Sequence, residues 1–397
     1  MSKTSTKRVA LAVDVGVGLE RHTRAYDGMV LYGRERGWDL IIDEFPELNL
    51  SARRTPDVAY DGIIARATKP MRAAAERLGI PLVNLWLNSP VASDVPGIFI
   101  DYLAVGRLAA EHLLLRGFKR FAALADSTIA SKESTMGFHG TIEEAGFASN
   151  TAFVEEDITS DADRWSRSKR IMQQWVDRFE PPVGVLTQRS EAGRLITQMC
   201  QRRGLRVPED VAIVTGSDER AFCEGLSPTL TSIDLGFQRQ GHGAAHLLDR
   251  LMQGIPPPEH PIRLPPLGIQ VRESTDFLQV DDELISNALQ FIAAHCHKPI
   301  DLVDVADAVS VGATTIKRRF KSYLGRGVAT QIRLIRLERA KREVAQGNRS
   351  FAKIAQAVGF GSYHRLFSIF RRELGMTPSA YRKKHQGIQT ADMKDQS

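Results

Sequence analysis

Residues 351–374 read FAKIAQAVGFGSYHRLFSIFRREL, and this stretch decides the fold of the C-terminal part of the chain. Its apolar residues recur every three to four positions, which predicts helices that each bury one face. Gly359 interrupts the pattern and is the residue type that a tight turn between two helices favours. A similar stretch, LVDVADAVSVGATTIKRRFKS, occupies residues 302–322, with Ser310 at the position of the turn. The sequence therefore predicts two helix-turn-helix motifs in succession.

The small and apolar residues of the two motifs correspond, with one extra residue in the second turn. The pairs are Ala306 and Ala355, Val309 and Val358, Val311 and Phe360, Ile316 and Leu366, and Phe320 and Phe370. An amphipathic run over 328–347 joins the motifs and ends at Gly347. As a helix, residues 328–346 would be roughly 28 Å long. That length suits two recognition helices separated by about one turn of DNA, ~34 Å.

The positive charge of the chain is concentrated in the same region. Residues 281–385 contain 19 Lys and Arg against 9 Asp and Glu, a net charge of +10, whereas the whole chain carries +6. Residues 1–280 carry a net charge of −3. A near-neutral large part joined to a basic small part indicates a sensor or an enzyme attached to a module that binds a polyanion. A merely solvated basic face is the alternative, and the duplicated motif disfavours it.

The second helix of each motif is predicted to lie in the major groove of double-stranded DNA. Its polar and basic side chains can reach base edges and phosphates. The predicted DNA-binding residues are Thr314, Lys317, Arg318, Arg319 and Lys321 in the first motif, and Tyr363, His364, Arg365, Arg371 and Arg372 in the second. Those predicted to contact phosphates are Arg319, Lys321, Arg371 and Arg372.

The C-terminal region resembles the AraC/XylS family of bacterial transcription regulators over residues 281–384. The most specific part of the resemblance is the family pattern I-A-x-x-V-G-F-x-S followed by F-x-x-F-R-R-x-x-G-x-T-P-x-x-Y-R. It is present as Ile354, Ala355, Val358, Gly359, Phe360, Ser362, Phe367, Phe370, Arg371, Arg372, Gly375, Thr377, Pro378, Tyr381 and Arg382. The chain departs from the family at Arg365 and Ser368, which replace an aromatic residue and an arginine. The resemblance implies an operator DNA and RNA polymerase as partners.

The N-terminal part alternates short apolar runs with amphipathic runs. RVALAVDV (8–15), FKRFAALAD (118–126) and VGVLT (183–187) are typical of strands, and residues 20–36, 104–116 and 191–203 are typical of helices. This alternation predicts parallel sheets covered by helices on both faces. Two successive α/β units would form two lobes, with a small-molecule cleft between them.

Four segments of this part resemble the effector domains of the LacI/GalR family, which have the periplasmic-binding-protein fold. The segments are GIFIDYLAVGRLAAEHLLLRG (97–117), MGFHGTIEEAG (136–146), RGLRVPEDVAIVTGSDE (203–219) and SPTLTSIDLGFQRQGHGAAHLLDRLMQG (227–254). The resemblance implies a small sugar effector and a homodimer. It is unusual beside an AraC-type module, because LacI-type proteins carry their DNA-binding segment at the N-terminus.

Together these features predict a two-lobed α/β sensor of the periplasmic-binding-protein type and an all-α C-terminal domain with two helix-turn-helix motifs. Residues 1–276 form the predicted sensor domain, 277–283 a linker, 284–385 the DNA-binding domain and 386–397 a disordered tail. The predicted function is control of a sugar-catabolic operon through DNA binding that responds to a sugar, as an activator or, alternatively, as a repressor.

Candidate ligand residues stand where predicted strands end, because open α/β sheets form their ligand crevice at that edge. They are Asp14, Trp86, Asp101, Gln188 and Asp218. Carboxylates can accept strong hydrogen bonds from sugar hydroxyls, and an indole ring can stack on the apolar face of a sugar. The alternatives are helix caps or turns for the aspartates, and core packing for the tryptophan.

Two positions depart from the LacI-type pattern of sugar-binding residues. The family usually has an arginine shortly before residue 137, where this chain has Ser134 and Thr135. It also usually has an aspartate after the strand at 183–187, where this chain has Gln188 followed by Arg189. The departures indicate a different sugar, an acidic sugar derivative, or a degenerate pocket.

No catalytic constellation, metal site or cofactor motif is recognisable in the sequence. Cys200, Cys223 and Cys296 are far apart and fit a reducing cytoplasm. No apolar run approaches the ~18 residues of a membrane helix, so no membrane partner is predicted. The remaining alternative is an enzyme that acts on a small sugar-like molecule and carries an accessory DNA-binding module.

Overall fold

The central strands of the N-terminal part are short, apolar and buried. The structure is a computed structural model that describes residues 6–14, 19–51, 60–155, 161–276, 282–346 and 349–386. It divides into two compact units, Met1–Thr275 and Asp276–Ser397, called here the sensor unit and the C-terminal unit. Most of the predicted linker (277–281) and of the predicted tail (387–397) lies outside the described residues.

The strands of the sensor unit follow the predicted apolar runs closely. In chain order they are β1 (Arg8–Ala12), β2 (Asp39–Ile42), β3 (Gly62–Ala65), β4 (Leu82–Asn84), β5 (Ile98–Ile100), β6 (Phe121–Ala125), β7 (Ser149–Phe153), β8 (Val183–Thr187), β9 (Val211–Thr215), β10 (Thr231–Asp234), β11 (Ile262–Leu264) and β12 (Gly268–Gln270). The helices are α1 (Glu20–Arg36), α2 (Pro46–Ser51), α3 (Lys69–Leu78), α4 (Tyr102–Leu115), α5 (Ile129–Glu144), α6 (Ala162–Asp177), α7 (Ser190–Arg202), α8 (Arg220–Glu224) and α9 (Phe237–Met252).

Two main sheets organise these elements. The first has the strand order β2-β1-β3-β4 and is parallel, and the second has the order β12-β10-β9-β8-β6-β7. In the second sheet β12 runs antiparallel to β10, which departs from the predicted parallel arrangement. Successive residues of each central strand face opposite cores: Phe121 and Ala123 of β6 lie in one, and Ala122 and Leu124 in the other. Both faces of the sheet are therefore covered, as predicted.

The prediction that the two lobes are two successive α/β units of the N-terminal part is wrong. The first lobe contains β1–β5 and α1–α3, but it also contains α9 and β11 from the far end of the unit. Strand β11 pairs with β5 in parallel, and α9 packs along α1. The second lobe contains the intervening elements α4–α8, β6–β10 and, after the last crossing, β12.

Glycines allow the helices to pack this closely. A Cβ atom at Gly241 of α9 would lie 1.8 Å from the carbonyl oxygen of Ala25 in α1, and one at Gly28 would lie 2.0 Å from that of Gln238. The second lobe has the same device between α4 and α5, where a Cβ at Gly106 would lie 1.8 Å from the carbonyl oxygen of Ser134. Close packing of the two helix backbones at these glycines, rather than chain order, places α9 in the first lobe.

The C-terminal unit contains only helices within its described residues. They are α10 (Glu283–His295), α11 (Leu302–Ala308), α12 (Ala313–Leu324), α13 (Val328–Gln346), α14 (Phe351–Ala357), α15 (Tyr363–Leu374) and α16 (Pro378–Gln386). The helices of the two motifs are thus α11 with α12 and α14 with α15. Helix α13 contributes Val328 and Ile332 to the core of the first motif, and Leu337, Ala340 and Val344 to that of the second.

Candidate ligand cleft and nucleic-acid interface

The first lobe places Asp14 and Trp86 around a histidine that the sequence analysis missed. Asp14 follows β1 with a φ of 53°, and its carbonyl oxygen lies 2.9 Å from Nδ1 of His22. The ring centroid of Trp86 is 5.0 Å from that of His22 and 6.1 Å from that of Phe237. Burial lowers the pKa of His22, which favours a neutral ring that donates from Nδ1.

The indole N–H of Trp86 is buried and has no hydrogen-bond partner among the described residues. An unpaired buried donor costs about 1–3 kcal/mol. Trp86 therefore combines packing against His22 and Phe237 with a donor that is left for another molecule.

The second lobe places Gln188 in a small pocket at the carboxyl ends of β6 and β8. The pocket is also lined by Asp126, Glu155 and Arg189. The side-chain carbonyl oxygen of Gln188 is buried and accepts no hydrogen bond from the described residues. Arg189 forms an ion pair with Glu191 at 2.8 Å, which balances the positive charge that suggested an acidic ligand.

Asp218 lies in the turn after β9 and is almost fully buried. Its Oδ1 accepts hydrogen bonds from the hydroxyl of Ser232 at 2.6 Å and from Nη2 of Arg272 at 3.0 Å. The side chains of Asp218 and Arg272 are 10% and 15% exposed. Its second oxygen, Oδ2, accepts no hydrogen bond within the described part of the chain. Oδ1 therefore holds the Asp218 side chain in place, and Oδ2 is available as a hydrogen-bond acceptor for a ligand.

Asp101 takes the role that the sequence analysis kept open as the alternative. It is the N-cap of α4, and its Oδ1 accepts a hydrogen bond from the backbone N–H of Ala104 at 3.0 Å. Its own N–H donates to the carbonyl oxygen of Leu264 in β11. Asp101 therefore begins α4 at a crossing between the lobes, and a ligand would meet a carboxylate already used as a cap.

The two lobes are joined by a reciprocal capping contact that the sequence analysis did not predict. The carboxylate of Glu219 accepts from the backbone N–H of Glu20, the first residue of α1, at 3.3 Å. The carboxylate of Glu20 accepts from the backbone N–H of Arg220, the first residue of α8, at 3.1 Å. Burial, and then the charge of Glu20, raise the pKa of Glu219. Leu19 precedes α1 and cannot cap it, which is the one sign of this contact in the sequence.

The first recognition helix, α12, exposes all five residues predicted to contact DNA, which are Thr314, Lys317, Arg318, Arg319 and Lys321. Arg319 differs, because its guanidinium forms an ion pair at 2.6 Å with Asp282, the N-cap of α10. The side chain of Asp282 is only 6% exposed, so this ion pair stabilises the contact between α12 and the start of α10.

The second recognition helix, α15, exposes Tyr363, His364, Arg365, Arg371 and Arg372. Tyr363 stacks on Phe351 of α14, with ring centroids 6.1 Å apart and an interplanar angle of 28°. Its ring orientation is therefore set by the first helix of the motif. Arg372 pairs with its neighbour Glu373 at 2.8 Å, which leaves Arg371 as the more available of the two for phosphate.

Family profiles match both units of the chain. The profile described as a periplasmic binding protein-like domain matches residues 110–275, and that described as a helix-turn-helix domain matches residues 305–384. The "Xylose operon regulatory protein" of Escherichia coli (strain K12) is 25% identical over 388 residues, which cover 96% of this chain and 97% of the relative. The protein of the same description from Haemophilus influenzae is 24% identical and covers 94% and 98%.

The chain is a DNA-binding transcription regulator that combines a periplasmic-binding-protein-like sensor domain with a helix-turn-helix domain. Its fold also matches the solved structure of a xylose-binding transcription activator, at a TM-score of 0.58, 24% identity and coverage of 96% and 98% of the two chains. The structural match and the two profiles confirm the predicted fold class, and the profiles together with the two relatives confirm the predicted DNA-binding function. The relatives are regulators, so the enzyme alternative is not supported. Among its described residues, no helix is long and apolar enough to cross a bilayer.

Proposed function

We propose that this regulator binds a neutral pentose, xylose or a close analogue, in the cleft of the sensor unit. The support from relatives is the description of two near-full-length homologues as xylose operon regulators. The observation that carries the proposal is a set of unpaired polar atoms. Trp86 of the first lobe has an unpaired N–H, whereas Gln188 and Asp218 of the second lobe each have an unpaired oxygen.

These atoms match the chemistry of a sugar. Sugar hydroxyls both donate and accept, so they can satisfy one N–H donor and two oxygen acceptors at once. Gln188 and Asp218 follow parallel strands β8 and β9, at the edge where α/β folds bind ligands. The ion pair between Arg189 and Glu191 favours a neutral ligand over an acidic one.

We also propose the assembly and the setting of this activity. The regulator acts in the cytoplasm as a homodimer that binds two operator half-sites and contacts RNA polymerase. Residues 277–283 link a sensor of residues 1–276 to a DNA-binding domain of residues 284–385. The warrant for the dimer is analogy with LacI-type sensors. Light scattering is expected to give twice the mass of the chain, and a monomer with and without DNA would refute it.

The sugar site is tested by titrating the full-length protein with D-xylose, L-arabinose and D-ribose in a calorimeter. Trp86→Phe removes the unpaired N–H and keeps an aromatic ring. It is expected to weaken binding of D-xylose about 2- to 12-fold, the equivalent of one hydrogen bond of about 0.5–1.5 kcal/mol.

Trp175→Phe is the matched control. Its indole N–H donates to Asn150 at 2.9 Å on the outer part of the second lobe, so sugar affinity is expected to be unchanged. Equal effects of the two variants would contradict the assignment of Trp86. Failure of every pentose to bind the wild-type protein would contradict the proposed function.

A further inference from the structure

The sensor unit ends in a segment that is bonded through its side chains to the turn that contains Asp218. We call residues 272–275 the exit segment, because the chain leaves the sensor unit there. Nη1 of Arg272 donates to the carbonyl oxygen of Leu230 at 2.9 Å and to the hydroxyl of Ser232. Its Nη2 donates to Asp218 at 3.0 Å and to Glu224 at 2.8 Å.

The rest of the exit segment is bonded to the second lobe as well. The carboxylate of Glu273 accepts a hydrogen bond from the backbone N–H of Thr229 at 2.7 Å, and the hydroxyl of Ser274 donates to the carbonyl oxygen of Ile213 at 2.6 Å. The hydroxyl of Thr275 is hydrogen-bonded to Nε2 of His112 at 2.8 Å. Ser274 and Thr275 are fully buried. Arg272 is thus directly followed in the chain by three residues that are bonded to the second lobe, so a rearrangement at Arg272 alters the contacts of the whole exit segment.

We propose that Arg272 is the positioning residue that couples effector binding at Asp218 to the exit segment, and through it to DNA binding. This inference rests on the proposed function, because it takes Asp218 as a ligand of the sugar. Arg272 itself does not touch the sugar. Arg272 responds to sugar binding at Asp218 because the strength of the ion pair between Arg272 and Asp218 changes.

Two carboxylates accept hydrogen bonds from the same nitrogen of this guanidinium. Asp218 is 10% exposed, whereas Glu224 is 53% exposed, and both accept from Nη2. Sugar hydroxyls that donate to Asp218 spread its negative charge over new hydrogen bonds and weaken its attraction for Arg272. The ion pair with Glu224 then becomes the stronger one, and the exit segment has two positions with different contacts. Only such a difference between states allows a ligand to shift an equilibrium.

A purely structural role for Arg272 is the competing explanation, and it predicts different measurements. A structural arginine would lower the stability of the sensor and its sugar affinity together. A coupling arginine, when changed conservatively, leaves sugar binding and sugar-free operator binding nearly intact. What it removes is the change in operator affinity on addition of sugar.

The test uses the full-length protein and Arg272→Lys, which keeps the positive charge but cannot bond to all four partners. Operator affinity is measured by fluorescence anisotropy with and without saturating D-xylose, and D-xylose affinity by calorimetry. For the wild type, the ratio of the two operator affinities is expected to lie in the range of about 5 to 150 that is typical of allosteric coupling. For Arg272→Lys the ratio is expected to fall close to 1, with D-xylose affinity within about fivefold of the wild type.

Two further variants complete the design. Glu224→Gln removes the exposed alternative partner, and its expected effect is a loss of at least about threefold in the same ratio. Arg206→Lys is the matched control, because Arg206 pairs with Asp210 at 2.8 Å within the second lobe and does not contact the exit segment. It is expected to leave all three quantities unchanged.

The outcomes separate the two hypotheses. A wild type that responds to D-xylose, with Arg272→Lys and Glu224→Gln responding equally, overturns the role of Arg272 and leaves the proposed function intact. A loss of sugar affinity and thermal stability in Arg272→Lys, with unchanged coupling in Glu224→Gln, also overturns it. A wild type that binds D-xylose without a change in operator affinity overturns the role of Arg272 alone, whereas a wild type that binds no pentose overturns the proposed function as well.

Discussion

The two helix-turn-helix motifs have helices of equal length and different turns. Each motif pairs a helix of 7 residues with one of 12 residues. The first turn spans 309–312 and has Ser310 at a φ of 56°, whereas the second spans 358–362 and has Gly359 at 89° and Gly361 at 75°. A serine is tolerated in the first turn, but the second requires glycine for a reason beyond its dihedral angle.

That reason is the contact between the second turn and the end of α10. A Cβ atom at Gly359 would lie 2.3 Å from the carbonyl oxygen of Cys296, the C-cap of α10. The same oxygen accepts from Nε of Arg336 in α13 at 2.6 Å, and Arg339 donates to the carbonyl oxygen of Ala293. Positive side chains at a helix C-terminus are stabilising. The second turn therefore also packs the second motif against the end of α10, next to Arg336 of α13.

The largest expected effect is that of Gly359→Ala. The left-handed conformation costs about 1–2 kcal/mol and the clash about 1–3 kcal/mol, so a loss of roughly 2–5 kcal/mol is expected. Gly361→Ala is the matched control, because nothing lies within 4 Å of a Cβ there, and about 1–2 kcal/mol is expected. Urea unfolding of the full-length protein measures both. Equal losses would show that the contact with Cys296 carries no energy.

Base reading by the two recognition helices gives the next effect. Arg318→Ala is expected to weaken binding to a selected operator by about 1–3 kcal/mol and binding to random DNA by less. Arg365→Ala tests the same property in the second motif, where the family has an aromatic residue. Anisotropy titrations on both DNAs measure the losses. A uniform loss on both DNAs would place the arginine on the phosphate backbone.

Salt dependence is expected to separate paired from unpaired basic residues. Lys321→Ala and Arg371→Ala are each expected to lower the slope of log affinity against log salt by about 1. Arg319→Ala and Arg372→Ala are expected to lower it by less, since Asp282 and Glu373 already pair with these residues. Operator titrations from low to high salt give the four slopes. Four equal slopes would mean that both ion pairs open on DNA.

The smallest expected effect is a gain from Ser310→Gly. Glycine removes the cost of a left-handed serine, about 1–2 kcal/mol. Because glycine has more conformational freedom in the unfolded chain, it also lowers the free energy of unfolding by about 0.5–1 kcal/mol. A net stabilisation of about 0.5 kcal/mol is therefore expected in the same urea experiment. Destabilisation would indicate that the hydroxyl of Ser310 stabilises the first turn.

Much of the local structure could be predicted because it depends on neighbours in the chain. The strand at 183–187 and the helix at 20–36 have the predicted bounds, since an apolar run and a 3.6-residue period are local signals. Ser310 and Gly359 lie in the predicted turns, and both have the left-handed conformation that tight turns use. The basic charge of the C-terminal unit and its duplicated motif were equally readable.

The tertiary structure alone decided which distant residues meet. It placed α9 in the first lobe through backbone contact at Gly28 and Gly241, paired Asp218 with Arg272 across 54 residues, and brought Glu20 to Arg220 across 200. Such contacts leave no period in the sequence, because they depend on how packed helices and sheets bring their ends together. Local sequence patterns were thus sufficient to predict the helices and strands, the basic charge of the C-terminal unit and the class of regulator. The hydrogen-bond partners of the polar groups in the cleft depend instead on tertiary packing.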